Sequence, residues 1–111
     1  MSDQSIVIVS GVRTPMGGFQ GSLSSISAVD LGAISIREAV SRAGIPAEAV
    51  EEVIMGCVGQ PADVANVTRV IALRSGIPEH VPAITVHRNC ASGFESVTVA
   101  HQKMCAGKGE I

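Results

Sequence analysis

Val86-His87-Arg88-Asn89-Cys90-Ala91-Ser92-Gly93 is the segment of this chain whose residue types could do chemistry. It sets a thiol where a short apolar run gives way to a helical pattern. A helix start has unpaired N–H groups and a partial positive charge, and both favour thiolate over thiol. Thiolate is the nucleophilic form of cysteine. The same N–H groups are donors for the oxyanion that forms when a thiolate attacks an acyl carbon. Ala91, Ser92 and Gly93 are small, which leaves room for a bulky substrate. The chemistry this implies is nucleophilic acyl transfer. The competing reading makes Cys90 a small buried core residue, the commoner fate of a free cysteine.

Other chemistries find less support. G-x-S-x-G and P-loop patterns are absent, and the glycines of Gly11–Gly21 lack G-x-G-x-x-G spacing, so no nucleotide or dinucleotide site is expected. Cys57, Cys90 and Cys105 are odd in number and form no C-x-x-C pair. They read as reduced thiols of a cytosolic or organellar-matrix protein, not as a disulfide scaffold. His80, His87 and His101 do not share metal-ligand spacing with the cysteines, so no metal is expected.

Positioning Cys90 requires a strand before it and a helix after it. Ala83–His87 (AITVH) reads as that strand. Ala91–Ala106 reads as that helix, with Phe94, Val97, His101, Met104 and Cys105 at helical spacing. Upstream, Ser5–Ser10 (SIVIVS) is a β-branched apolar run and reads as a buried strand. Gly11–Ser27 is a long loop rich in turn residues. Ser27-Ala-Val-Asp30 has the form of a helix start, and Val29, Ala33, Ile36, Val40 and Ala43 continue it to a stop at Gly44. Leu31 and Ile34 lie off that stripe, which suggests cover on more than one face. Pro46–Val50 is a connector. Val53–Val58 reads as a second strand, and Asp63 as the cap of a helix over Val64–Ser75 that stops at Gly76. The expected order is βαβαβα, an α/β unit with a mostly parallel sheet and helices on both faces. The sequence stops at Glu110-Ile111, directly after a helix, where this architecture calls for another strand. Residues 1–111 are therefore expected to be a partial domain, with no second domain present.

Composition agrees with that expectation. Hydrophobic residues make up 46% of 111 and charged residues only 16%, so some surface is expected to be covered by further sequence or a partner. A net charge of −2, no basic run and an aromatic content of two Phe exclude a nucleic-acid partner. No stretch approaches the roughly 18 apolar residues of a membrane span. Met1–Gln4 is polar and lacks a basic region, so no signal peptide is expected and the cytoplasm is the expected compartment.

Asn89-Cys90-Ala91-Ser92-Gly93 after an apolar strand resembles the nucleophile motif of thiolases, the acetyl-CoA acyltransferases. The likeness extends along the chain in one register. Val12-Arg13-Thr14-Pro15-Met16-Gly17 is similar to the family's early R-T-P-x-G stretch. Asp30-Leu31-Gly32, opening the first helix, and Glu52–Gln60 are also similar to the family, and Asn66–Arg69 through Gly76-Ile77-Pro78 is similar to the segment leading to its nucleophile strand. Arg13-Thr14-Pro15 favours this family over the related ketoacyl synthases.

The resemblance implies thiolytic cleavage of a 3-ketoacyl-CoA, or its reverse, condensation of two acyl-CoA molecules. Cys90 would carry the acyl group as a thioester, and its backbone N–H would help hold the oxyanion. Coenzyme A is implied as substrate, with no metal or prosthetic group, and a homo-oligomer in the full-length form. Val67–Asn89 looks closest to thiolases of fatty-acid oxidation. The family's other catalytic residues lie far downstream of its nucleophile motif. His80, His87 and His101 are outside its G-H-P motif and Cys105 is outside its C-x-G motif, so none is given a catalytic role. Cys57 and Cys105 then read as structural thiols and His101 as a packing residue. His87 is expected to hydrogen-bond within the Cys90 loop, and Arg13 and Arg88 to be solvated or paired with local carboxylates. Glu95 is expected to favour the helix dipole, and Gly93 to permit close helix packing. The chain alone is expected to be inactive. The alternative is an inactive module that assembles with a full-length thiolase subunit.

Overall fold

The computed structural model describes residues 5–111. Its regular elements are α1 (Ala28–Ala43), a 3-10 turn (Ala47–Ala49), β1 (Val53–Gly56), α2 (Val67–Arg74), β2 (Ala83–Val86) and α3 (Ser92–Cys105). β1 and β2 are parallel, in the register Val53↔Ala83 through Gly56↔Val86. A parallel pair needs a crossover, and α2 supplies it. The α/β class and parallel pairing match the sequence reading.

The expected first strand does not form. Ser5–Ser10 is neither helix nor strand, and among the described residues its backbone makes no ladder. Val7, Ile8 and Val9 are 67%, 85% and 68% exposed. A β-branched run has strand propensity, but a strand exists only when a neighbour accepts its hydrogen bonds. The described order is therefore αβαβα. Gly11–Ser27 is a loop, as expected, tightened by turns such as Gly21 N–H to the Gly18 carbonyl at 2.9 Å.

α1 starts and stops where its sequence signals say. The Ser27 hydroxyl accepts from the Asp30 N–H at 3.0 Å, a cap worth about 1 kcal/mol. The helix ends on Gly44. Its inner stripe packs on α2 so closely that a Cβ on Gly32 would lie 2.6 Å from the Ile71 Cδ1. Ile34 on the other face is exposed, so α1 is covered on one side only.

α2 is capped by Asn66, not by Asp63. The Asn66 Oδ1 accepts from the Arg69 N–H at 3.3 Å, while its Nδ2 donates to the Ala83 carbonyl at 3.0 Å. Asp63 instead falls in the turn closed by Val64 N–H on the Pro61 carbonyl. Asn66 wins because one side chain there both caps the helix and ties it to β2.

Side chains alternate across a strand, and that parity separates the helices. Val53 and Met55 pack with Ala72, Ile77 and Val81 on the α2 side. Thr85 faces the same way, bonded to the buried Thr68 at 2.8 Å. Gly56 faces the other way and meets the first residues of α3. α2 and α3 thus cover opposite faces. No helix among the described residues is long and apolar enough to cross a membrane.

Candidate active site

Cys90 lies in the five-residue corner, His87–Ala91, between β2 and α3. It is exposed, which decides against a buried core thiol. The corner is built from its own backbone. Ala91 N–H donates to the Arg88 carbonyl and Ser92 N–H to the Asn89 carbonyl, both at 3.1 Å. Asn89 takes a left-handed φ of 48°. Asparagine tolerates that region better than most side chains, so the residue before Cys90 suits its conformation. The Asn89 N–H donates to His87 Nδ1 at 3.1 Å, so His87 does bond within the loop as expected.

Ser92 holds the corner from inside. It is 2% exposed. Its Oγ accepts from the Arg88 N–H at 2.8 Å and donates to the Asn89 carbonyl at 2.7 Å. Sequence reasoning assigned Ser92 only smallness, leaving space for substrate, but its side chain points inward and is structural. The missed signal is a serine two residues after the candidate nucleophile, placed to bond its own turn. Gly56 was missed as well. Close approach was expected at Gly93, where a Cβ would meet nothing within 4 Å. It occurs at Gly56, where a Cβ would lie 2.2 Å from the Ser92 carbonyl carbon. Glycine inside a strand pattern is a known mark of such contact.

The charged residues are engaged locally. Arg88 pairs with Glu95 at 2.6 Å, so both satisfy each other beside Cys90. Arg13 is exposed. His80, His87 and His101 are also exposed, and none bonds the Cys90 sulfur. His101 does not pack into an apolar face: its Nε2 lies 3.7 Å from the Cys105 sulfur, and both are at the surface. Cys57 is half-buried. Among the described residues, no three His, Cys, Asp or Glu side chains converge as metal ligands would. A cavity of about 360 Å³ lies between the Val12–Thr14 segment, α1, β1 and α2. Gly56 is among its walls, but Cys90 and the rest of the corner are not.

The arrangement is an exposed thiol beside an N–H with no partner among the described residues, that of Cys90 itself. A nucleophile and an oxyanion donor on one residue suit acyl transfer. Comparison with known proteins shows the family. The model described as the thiolase N-terminal domain matches residues 6–111. The chain belongs to the thiolase family. The mitochondrial acetyl-CoA acetyltransferase of Danio rerio is 45% identical over 106 residues, 96% of this chain and 25% of that protein. The Escherichia coli acetyl-CoA acetyltransferase is 48% identical over 104 residues, 94% of this chain and 26% of that one. Among solved structures, an Ascaris suum thiolase in complex with coenzyme A superposes with a TM-score of 0.89 at 35% identity, covering 92% of this chain and 27% of the other. The acetyl-CoA acetyltransferase of Bacillus anthracis gives 0.89 at 37% identity, covering 93% and 26%. This thiolase chain spans about a quarter of the length of the curated relatives it matches.

Proposed function

We propose that Cys90 is the acyl-accepting nucleophile of an acyl-CoA C-acyltransferase. The observation that carries this is the exposed Cys90 thiol at the β2–α3 corner, with its own N–H free to meet an oxyanion. In the condensing direction the Cys90 sulfur attacks the thioester carbon of an acyl-CoA, the bond from that carbon to the coenzyme A sulfur breaks, and the thiol proton goes to the departing sulfur. In the cleavage direction it attacks the 3-keto carbon of a 3-ketoacyl-CoA, the bond between C2 and C3 breaks, and the thiol proton goes to the departing α-carbon, which leaves as acetyl-CoA. The acyl group then leaves the Cys90 sulfur for a coenzyme A thiol in the cleavage direction, or for the α-carbon of a second acyl-CoA in the condensing direction, and the proton lost by that thiol or α-carbon returns to the Cys90 sulfur. The names of the relatives favour acetyl as the acyl group, and the coenzyme A held by the Ascaris suum thiolase favours a coenzyme A thioester as donor. The same reading takes the full-length protein as a homo-oligomer of the cytoplasm, although some relatives are mitochondrial by name. The likeness of Val67–Asn89 to thiolases of fatty-acid oxidation adds fatty-acid metabolism as the setting.

Cys90→Ala tests the assignment in the protein at its native length. Loss of turnover by at least about a thousandfold, with an unchanged circular dichroism spectrum, is expected for a lost covalent nucleophile. Normal turnover in that variant would remove Cys90 from the mechanism.

A second reading is favoured by the outer face of α3, where Phe94 and Val97 are 84% and 59% exposed. It makes the chain an inactive module that packs this face on a full-length thiolase subunit. An antibody to Arg88–Gly93, applied to source-cell extract, separates the two. A band several times heavier than 11.4 kDa favours the enzyme, and one at 11.4 kDa favours the module.

A further inference from the structure

We infer that Ser92 is a positioning residue that aims the Cys90 N–H at the reacting acyl oxygen, an inference that rests on the acyl-transfer reading of Cys90. The Asn89 carbonyl and the Cys90 N–H belong to one peptide unit. That unit is planar and trans, so its oxygen and its hydrogen point in opposite directions. Whatever holds the oxygen therefore aims the hydrogen. Two donors hold the Asn89 oxygen, both from Ser92: the hydroxyl at 2.7 Å and the backbone N–H at 3.1 Å. The Cys90 N–H is thereby turned away from the turn that Ser92 closes, and it meets no acceptor among the described residues.

Three further contacts keep the aim fixed. The Ser92 Oγ also accepts from the Arg88 N–H at 2.8 Å, so it spans the corner from both sides. Ser92 itself sits against Gly56, with no room for a side chain between them. On the far side, His87 Nδ1 holds the Asn89 N–H at 3.1 Å. Two consecutive peptide units, those before and after Asn89, are thus tied at known atoms. Such a donor, fixed before charge develops, costs no reorganisation when the oxyanion forms. The hydroxyl of Ser92 bonds only Arg88 and Asn89 among the described residues, and on this inference it acts through the peptide it holds.

The test compares two reactions of the same sulfur in the protein at its native length. Acylation by acetyl-CoA develops an oxyanion, and alkylation by iodoacetamide does not. Both are followed at Cys90 by peptide mass spectrometry, with the half-buried Cys57 as the gauge of folding. Ser92→Ala is expected to slow acylation at least about tenfold, with alkylation of Cys90 within about twofold of wild type. Ser92→Thr, which keeps the hydroxyl, is expected to acylate faster than Ser92→Ala. Equal acylation by Ser92→Ala and wild type would overturn the positioning role and leave the nucleophile reading intact. An equal fall in acylation and alkylation would also overturn it, since a general loss of structure slows both. If Ser92→Ala exposes Cys57 to rapid alkylation, Ser92→Thr decides. With Cys57 protected, a wild-type acylation rate in that variant supports the role of the hydroxyl, and a rate as low as that of Ser92→Ala overturns it. A wild-type protein whose Cys90 takes no acetyl group would overturn the nucleophile reading and this inference together.

Discussion

The backbone of Ser92 occupies the space that a side chain on Gly56 would fill. An ideal Cβ at Gly56 would lie 2.2 Å from the Ser92 carbonyl carbon and 2.5 Å from the Gly93 nitrogen. The end of β1 is thereby the seat of the corner that carries Cys90. Two elements distant in sequence fix the thiol: the strand that ends at Gly56, and the hydroxyl of Ser92 that ties residues 88 and 89 together.

Gly56→Ala is therefore expected to be costly in two ways. The obstructing atoms are backbone, which cannot rotate aside as a side chain would. Overpacking of this kind costs about 1–3 kcal/mol, occasionally more. It should also push the Cys90 corner off the strand and slow its acylation. Gly32→Ala is the comparison, because its 2.6 Å clash is with the flexible end of Ile71. Urea denaturation of both variants should find Gly56→Ala the less stable and Gly32→Ala the nearer to wild type. The reverse order would mean that the corner yields more easily than Ile71.

The caps give a second pair of variants. Ser27→Ala should lose about 1 kcal/mol, the usual value of a lost N-cap. Asn66→Ala should lose more, because the same side chain also bonds the Ala83 carbonyl and accepts from Thr85 Oγ1 at 2.6 Å. Asp63→Ala should fall within about 0.5 kcal/mol of wild type, as ordinary surface changes do. Denaturation midpoints that ranked Asp63→Ala with Asn66→Ala would return the cap to Asp63.

These variants also mark where local sequence signals run out. Ser27 and Gly44 were legible because a cap and a stop flanked a clear helical stripe. Asp63 was read as the cap from its residue type and place before the helical pattern, but it is Asn66 that has a partner on β2, which sequence spacing cannot show. Ser5–Ser10 has the composition of a strand, yet pairing is a property of the neighbour, and among the described residues none pairs with it. At the candidate site, Cys90 was legible as the proposed nucleophile through its residue type and the motif around it. Ser92 and Gly56 act through contacts across 36 positions of chain and carry no chemistry of their own, so residue type did not mark them.

Glu51 gives a pH-dependent contact. Its Oε2 accepts from the N–H groups of Glu110 and Ile111. The bond from Glu110, then that from Ile111, holds the carboxyl below the usual range of glutamate, against a small opposing effect of desolvation. A carboxyl whose folded value is depressed stabilises the fold above its unfolded value, and that contribution fades as pH falls through the folded one. The contribution should thus be full above the ordinary glutamate value of about 4.3 and fade only as pH falls below it. Amide exchange at Glu110 and Ile111, corrected for intrinsic rates, should show protection lost on acidification. Glu51→Gln should remove that pH dependence. Protection with the same pH profile in the Gln variant would show that another group closes this segment.

Two ion pairs of similar length should differ in worth because their surroundings differ. Arg42–Glu38 and Lys103–Glu52 are both 2.6 Å apart. The first is open to water, with side chains 62% and 51% exposed. It spans one turn of α1, and such pairs contribute about 0.3–0.5 kcal/mol. The second joins the last turn of α3 to the residue before β1, with Lys103 35% and Glu52 15% exposed. Water screens it less, and removing Lys103 leaves a half-covered carboxylate without its partner, which costs more than the pair itself gains. Lys103→Met is therefore expected to destabilise by about 1–2 kcal/mol, below the 3–5 of a fully buried pair. Arg42→Met should cost under about 0.5 kcal/mol. The double variant Lys103→Met/Glu52→Gln should recover part of the loss, since no charge is left unpaired. Raising the salt concentration should reduce the contribution of Arg42–Glu38 more than that of Lys103–Glu52. Denaturation of the three variants at low and high salt checks all of this. Equal losses for Lys103→Met and Arg42→Met would mean that α3 is held on the sheet by packing, with no help from the charge at its far end.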